Sequence, residues 1–441
     1  MTIINGKSLE CNKNFRVDFN GGNLSSDAGL LVLKEFYHKL GVPSLIKELF
    51  HTTDPGHVRV HKDHENLLQM LYQITAGYFQ DDHADALRKD PVLTAAVGKK
   101  ALASQPTLSR FHNRMDGVSL EQLGEIQRIL RKRIYSVVPP EEVLFDLDTT
   151  LLATFGNQEG SAFNYHYQAK GYHPHICFDG MTGDLLKIEL RPGAKYCCNG
   201  AADFMRSLLE EYQTEYPDVA LFLRADSGFA TNELYSLCET NGTSYVIRLK
   251  ENSVLRRLSS DMDNELFDMT RKDMISYAVV YGEFEYKAES WDYPRRVVCK
   301  IEKPYGQMIH LYTFVVTNMD SSPENLIRFY CKRGKMENFI KECKSGFDMD
   351  YVSSSSQIVN ANRVLIHALA YSLFNWFRRL TLPDYMKKER IDTLRLKLLK
   401  IAARVVHSAR YVFFRLCSHC PFQMEILEAL NSIRHLCSLT E

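Results

Sequence analysis

The sequence predicts an α/β protein: a mixed five-stranded sheet with flanking helices, interrupted by a mostly β insertion and bracketed by helical N-terminal and C-terminal regions. Three patterns predict this. Residues 1–140 repeat apolar side chains at helical spacing. From 141 the chain switches to short runs of strand formers alternating with amphipathic stretches. Residues 358–441 return to helical spacing.

In the N-terminal region, AGLLVLKEFYHKL reads as a helix capped from Ser25-Ser26-Asp27, and HENLLQMLYQITAGYF as a buried one. SQPTLSRFHNRM and SLEQLGEIQRILRKRIYS follow. Arg110 and Arg114 fall just inside the first of these, where they could meet DNA phosphates in the manner of a helix-turn-helix or simply form a basic surface. Pro139-Pro140 marks a boundary. EEVLFDLDTTLL is a strand, and HICFDGMTGDLLKIELR is a hairpin turning at Met181-Thr182-Gly183-Asp184. AADFMRSLLEEYQTEY is an amphipathic helix. VALFLRAD is a strand with a continuous apolar run, VALFL, as expected of one buried on both faces. TNELYSLCETNG is a helix and SYVIRL another strand. This is the element order of a ribonuclease-H-like core, set in 141–250 and 311–357. The alternating pattern within 251–310 reads as a mostly β insertion. In 358–441, RVLIHALAYSLFNWFRRL predicts a buried helix, and DTLRLKLLKIAARVVHSARYVFFRL a long basic amphipathic one.

Composition excludes several classes. The chain has 441 residues, 45% hydrophobic and 24% charged, ordinary for a folded protein with two or three domains. Lys+Arg and Asp+Glu balance at 54 each, so no acidic or basic excess names a partner, although local stripes can still bind nucleic acid. No apolar run is long enough to span a membrane, and the N-terminus lacks a signal-peptide core. The eleven scattered cysteines read as reduced thiols, consistent with a cytoplasmic protein.

Chemistry concentrates in FYCKRGKMENFIKECK. As one helix, Tyr330, Arg333, Glu337 and Lys344 would fall at about 0°, 300°, 340° and 320°, a stripe roughly 60° wide. A carboxylate flanked by cations suits a metal ion held against a phosphodiester, and also suits a solvated helix laced with ion pairs. Two further carboxylates lie at predicted strand ends. Asp148 closes LFDLDTT, with Asp146, on the same side of the strand, as an alternative. Asp226 follows VALFLRA. An Asp ending an apolar strand needs a partner, and a metal or a turn amide can be that partner. Asp148, Asp226 and Glu337 together form a hard-oxygen set for two Mg²⁺ or Mn²⁺ ions.

With these residues in place, the chain resembles the DDE transposases of bacterial insertion sequences that carry the Tyr-Arg-Glu-Lys signature, met here at Tyr330, Arg333, Glu337 and Lys344. FDLDTT, GYHPH, ELRPG, RADSGFA and RGKMENFIKECK resemble the group 1 DDE-domain branch. The resemblance runs from about 22 to 416 and is densest over 144–347. It implies a ribonuclease-H-like catalytic domain with a β insertion before the last catalytic helix. It implies catalytic and metal-binding roles for Asp148, Asp226 and Glu337, and terminal-phosphate contacts from Tyr330, Arg333 and Lys344. The partner it implies is double-stranded DNA, both element ends and target, engaged by a homodimer or larger assembly.

Trp291, among Asp292, Tyr293, Arg295 and Arg296, suits stacking on a flipped base or packing in a small core. His173 and His175 face one way on a predicted strand. A metal role lacks further ligands, and contact with DNA from Tyr172 or His173 is the better expectation. Cys417 and Cys420 have zinc-like spacing without a second pair. The basic stretch Arg395 to Arg415 could track DNA, pack, or do both. Two rival functions remain: a catalytically silent DNA-binding protein of transposase descent, and a structure-selective nuclease of the same fold. Intact carboxylates argue against the first, and long flanking regions against the second.

Overall fold

The computed structural model describes residues 7–54, 58–272 and 277–436. The chain divides into two compact units. One contains Met1–Val137, Ser345–Met349 and Leu365–Glu441; the other contains Val138–Lys344 and Asp350–Val364.

The first unit is helical at heart. Its helices include Leu30–Lys39, Val42–Leu49, Asp63–Ala76, Gln105–Asn113 and Gly117–Val137, together with the long helix Gln357–Thr381 from Leu365 onward. Their apolar faces meet in a core that contains Phe36, Tyr37, Tyr72 and Trp376, with Phe36 edge-on to Phe377 at 5.6 Å between centroids. The first helix is not capped by a side chain as the sequence suggests. Its N-cap is Gly29, and the Leu30 amide donates to the backbone carbonyl of Asp27 at 3.0 Å. The Asp27 carboxylate is buried and spent elsewhere, accepting from Ser26, from Tyr78 at 2.8 Å and from Lys400 at 2.6 Å.

The expected basic helix from Arg395 to Arg415 does not form. Helical turns end at Leu399, and the chain makes an antiparallel hairpin of Ala403–His407 and Val412–Leu416, with Leu24–Ser25 as a third strand. Val405, Val406, Val412, Phe413 and Phe414 are strand formers, and the Ser408 amide closes the turn on the Tyr411 carbonyl at 2.8 Å. Basic residues recur on both sides of the turn, which gives this hairpin the periodicity of a helix.

The second unit is built on eight strands: β1 (Glu142–Thr149), β2 (His175–Asp179), β3 (Leu185–Glu189), β4 (Ala220–Ala225), β5 (Ser244–Leu249), β6 (Ala278–Tyr286), β7 (Arg295–Lys303) and β8 (Leu311–Thr317). Their order is β6-β7-β8-β5-β4-β1-β2-β3. β1, β4 and β5 are parallel at the centre, and the remaining pairings are antiparallel. Helices Ala201–Glu215 and Asn232–Thr240 make the crossovers into β4 and β5. Phe145 of β1 is fully buried and edge-on to Tyr212 of the first crossover helix at 5.2 Å, a burial worth about 1.5–3 kcal/mol.

The sheet thus exceeds the five strands expected. Residues 251–310 do not stand apart as a mostly β insertion. They begin with helices Ser253–Leu258 and Ser260–Lys272, and β6 and β7 then extend the main sheet through β8. An accessory three-stranded sheet, Leu152–Ala153, Ala162–Asn164 and Ala169–Tyr172, follows β1. Helices α1 (Pro323–Cys331) and α2 (Gly334–Lys341) follow β8.

Candidate active site

Parallel strands β1 and β4 end side by side at acidic residues. Their register pairs Asp146 with Arg224 and Leu147 with Ala225, so one step further brings Asp148 opposite Asp226. Asp148 accepts from the Thr149 amide at 2.8 Å. Asp226 accepts from the Gly228 amide at 2.8 Å, closing the short turn that ends the strand. Both carboxylates are partly exposed. Burial pushes the Asp148 carboxyl up to about 6; Arg333 pulls against this and the neighbouring Asp226 adds to it.

Asp146 is differently employed. Its two oxygens each accept a guanidinium N–H of Arg224 at 2.7 Å, and both residues are buried. Arg224 also donates to the Phe329 carbonyl at 2.6 Å. Residues two apart on a strand share a face, so this pair lies on the same side of the sheet as Asp148, one step deeper.

The expected single stripe of Tyr330, Arg333, Glu337 and Lys344 is broken. α1 ends at Cys331, Lys332 and Arg333 form a turn, α2 starts at Gly334, and Lys344 lies in a π-helical turn, Glu342–Gly346. Three of the four residues still converge on the strand end. Arg333 pairs with Asp148 at 2.7 Å and donates to the Leu147 carbonyl at 3.4 Å. Burial opposes the Arg333 charge, but Asp148 and Asp226 hold its guanidinium above the usual value. Burial raises the Tyr330 hydroxyl, against the pull of the nearby Arg333 and Arg248 charges. Lys344 donates to the Leu151 carbonyl at 2.7 Å and approaches the Thr150 hydroxyl at 3.4 Å.

Glu337 is exposed on α2, one helical turn beyond Arg333 and hence on the same helix face. The structure brings Asp148 and Asp226 together but does not bring Glu337 to them. Among the described residues no group of three His, Cys, Asp or Glu side chains is gathered closely enough to hold a metal ion. The chemistry of the donor set nevertheless fits a divalent cation. Two hard-oxygen donors lie side by side at a strand edge. Of the three expected carboxylates, Asp148 and Asp226 are the two that this strand edge offers to such an ion.

Other expectations are corrected. Trp291 is 5% exposed, wedged edge-on against Tyr235 at 5.2 Å and Tyr286 at 5.3 Å, with the Arg295 guanidinium 5.5 Å from its ring. This packing leaves no face open for a base. Tyr172 and His173 are buried, and the Tyr172 hydroxyl donates to the Glu159 carbonyl at 2.7 Å. Arg110 is exposed, but at the C-terminal end of its helix rather than the phosphate-binding start. Arg114 is committed to Asp63 at 2.8 Å and stands 3.7 Å from Asp54. Both arginines line a cavity of about 320 Å³ with Arg59, Val60, His61 and Thr107.

Sequence reasoning missed the second layer of the site. The Tyr167 hydroxyl donates to the Thr149 carbonyl at 3.3 Å, and burial beside the two carboxylates pushes its pKa up to about 12. The Cys197 thiol stands 3.5 Å from the Thr149 hydroxyl. Neither residue carries a spacing signal, because both come from loops brought in by the fold.

Adjacent carboxylates thus end two parallel strands, and Arg333, Tyr330 and Lys344 approach them from three successive segments. The description "Transposase DDE domain group 1" matches residues 7–438, and the chain belongs to this family of DDE transposases. Among solved structures, the chain is similar to a piggyBac transposase synaptic complex with hairpin DNA determined by cryo-EM. The likeness has 12% identity and a TM-score of 0.42, over 91% of this chain and 92% of that one. Among curated proteins, none matches.

Proposed function

We propose that this transposase binds the terminal inverted repeats of its own insertion sequence, cleaves the DNA by two-metal phosphodiester hydrolysis and joins the freed 3′ ends to target DNA. The observation that supports this most is the juxtaposition of Asp148 and Asp226 at the ends of neighbouring parallel strands, against the Arg333 guanidinium. The central strands β1, β4 and β5 with their crossover helices are then the ribonuclease-H-like catalytic core.

In this reading Asp148, Asp226 and Glu337 are the catalytic carboxylates and bind two Mg²⁺ or Mn²⁺ ions. When bound, such ions activate the attacking water or 3′-hydroxyl and stabilise the leaving oxygen. Asp148 is preferred to Asp146 as the first ligand because both Asp146 oxygens are taken by Arg224. Arg333 balances the carboxylates and, with Tyr330 and Lys344, holds terminal phosphates. Arg110 adds a phosphate contact from the helical unit, and the working form on DNA is a homodimer or larger.

The test uses the DNA that flanks the reading frame as substrate. Wild type should nick at the element ends with Mg²⁺. Glu337→Gln should bind those ends with unchanged affinity and not cleave. Cleavage by Glu337→Gln at the wild-type rate would remove Glu337 from the catalytic set.

A further inference from the structure

The accessory sheet carries a feature that the carboxylate chemistry does not use. Its outer surface is aromatic and exposed. Phe163 is 48% exposed, Tyr165 81% and, on the neighbouring loop 192–200, Tyr196 77%. Such rings cost free energy in water, and exposed aromatic side chains on adjoining segments mark a binding surface. Phe163 and Tyr165 are packed edge-to-face at 5.2 Å, so one face of the group is already ordered. Phe163 lies opposite Lys170 in the strand register, and Lys195 is exposed beside Tyr196. Aromatic rings interleaved with cations form the surface on which unpaired bases stack while their phosphates are neutralised.

The loop bearing Tyr196 is held from beneath with unusual completeness. Four of its carbonyls are tied down. His173 Nδ1 bonds the Lys195 carbonyl at 2.8 Å, and His175 Nε2 bonds that of Cys197 at 2.7 Å. Arg191 bonds those of Tyr196 at 3.2 Å and Asn199 at 2.6 Å. These bonds require His173 to carry its proton on Nδ1 and His175 on Nε2. The remaining ring nitrogen of each is buried without a protein partner, so the side-chain hydrogen bonding of both rings goes to the loop. Gly193 locks the loop to the accessory sheet. A Cβ there would lie 2.0 Å from the Gly171 carbonyl oxygen, and the Asn164 amide donates to the Gly193 carbonyl at 3.1 Å. With its carbonyls turned inward, the loop presents the Lys195 and Tyr196 side chains outward on a rigid support.

The same elements reach the carboxylates. Tyr167 and Cys197, from the accessory sheet's connection and from this loop, both touch Thr149, next to Asp148. We infer that the accessory sheet and loop 192–200 form a stacking platform for unpaired bases of a single-stranded DNA end, with Tyr165 and Tyr196 as the stacking rings and Lys195 as the phosphate contact. The inference rests on the transposase reading for its placement beside the reaction. It also adds a ligand class, single-stranded DNA, that the double-stranded ends do not require.

The experiment uses the full chain and two synthetic duplexes of arbitrary sequence: one blunt, and one with a short 3′ single-stranded extension containing 2-aminopurine. Binding is read by fluorescence with EDTA present, so it does not depend on cleavage. Wild type should bind the extended duplex more tightly than the blunt one and quench 2-aminopurine. Tyr165→Ala and Tyr196→Ala should each weaken the extended duplex alone, by at least about fivefold. Tyr196→Phe should restore both affinity and quenching. These side chains are exposed, so the fold is not at risk in the variants. Equal binding of the two duplexes by wild type, or losses that are the same on both, overturns the platform. Failure of wild type to cut element ends, with quenching intact, overturns the catalytic reading and leaves the platform standing.

Discussion

Arg224 and Asp146 face one another across β4 and β1 and are joined by two hydrogen bonds of 2.7 Å, with both side chains shut away from solvent. The pair lies one step below Asp148, so it forms the floor of the candidate site. Removing one partner strands the other charge in the interior. Arg224→Met should destabilise the second unit by about 3–5 kcal/mol, whereas the double variant Arg224→Met with Asp146→Leu should recover much of that loss. Denaturant unfolding of the three proteins measures both effects. A small effect in the single variant would mean that water reaches the pair.

Asp148 and Asp226 should be equally indispensable to cleavage. Asp148→Asn and Asp226→Asn should each lower the rate by about a thousandfold or more, the equivalent of several kcal/mol of transition-state stabilisation. Asp146→Asn should also lose activity, but through lost stability, and its melting temperature should fall in parallel. Single-turnover cleavage read alongside thermal unfolding separates the two causes.

Trp291 should behave as a core residue. Trp291→Ala should cost about 3–5 kcal/mol of stability by opening a cavity between Tyr235 and Tyr286. A base-stacking Trp would instead cost affinity for DNA and little stability. Chemical denaturation and DNA binding of the same variant distinguish these outcomes.

Asp179 offers a pH test away from the candidate metal ligands. Its buried carboxyl, bonded by Thr182 and the Met181 amide, is pushed by burial from 3.8 up to about 6. The folded state therefore holds this proton more tightly than the unfolded chain. Its contribution to stability is fully present below about pH 4, falls as pH rises to about 6 and is constant above that, a change on the order of 3 kcal/mol. Asp179→Asn should lack that fall, so the variant gains on wild type across this window. Urea unfolding at a series of pH values measures the difference, and parallel profiles would show that the carboxyl titrates normally.

Gly29 should tolerate no side chain. A Cβ there would stand 1.7 Å from the Leu398 carbonyl oxygen, a backbone atom that cannot swing aside. Gly29→Ala should cost about 1–3 kcal/mol. Thermal unfolding of the variant decides the sign.

Much of this was legible in the chain. Continuous apolar runs such as VALFLRAD marked the central strands, because a strand buried on both faces can be little else. Asp148 and Asp226 were found because an acid closing such a run needs a partner. What stayed hidden depends on tertiary contact. Arg224 and Asp146 are 78 residues apart, and their pairing follows from a register that periodicity does not encode. The break between α1 and α2 at Lys332 and Arg333 is one that a helical wheel passes over. The hairpin Ala403–Leu416 was lost because its basic residues mimic a helical stripe. The support beneath loop 192–200 was invisible because its histidines hold backbone, and backbone atoms leave no pattern in a sequence.

The buried position of Trp291 has a spectroscopic consequence. The chain has two tryptophans, Trp291 and Trp376, and they fall in different compact units, each shielded from solvent. Each unit thus carries its own intrinsic emitter. In Trp376→Phe the remaining fluorescence belongs to the strand region alone, and in Trp291→Phe to the helical core alone. The emission of the two variants therefore reports which half of the protein melts first.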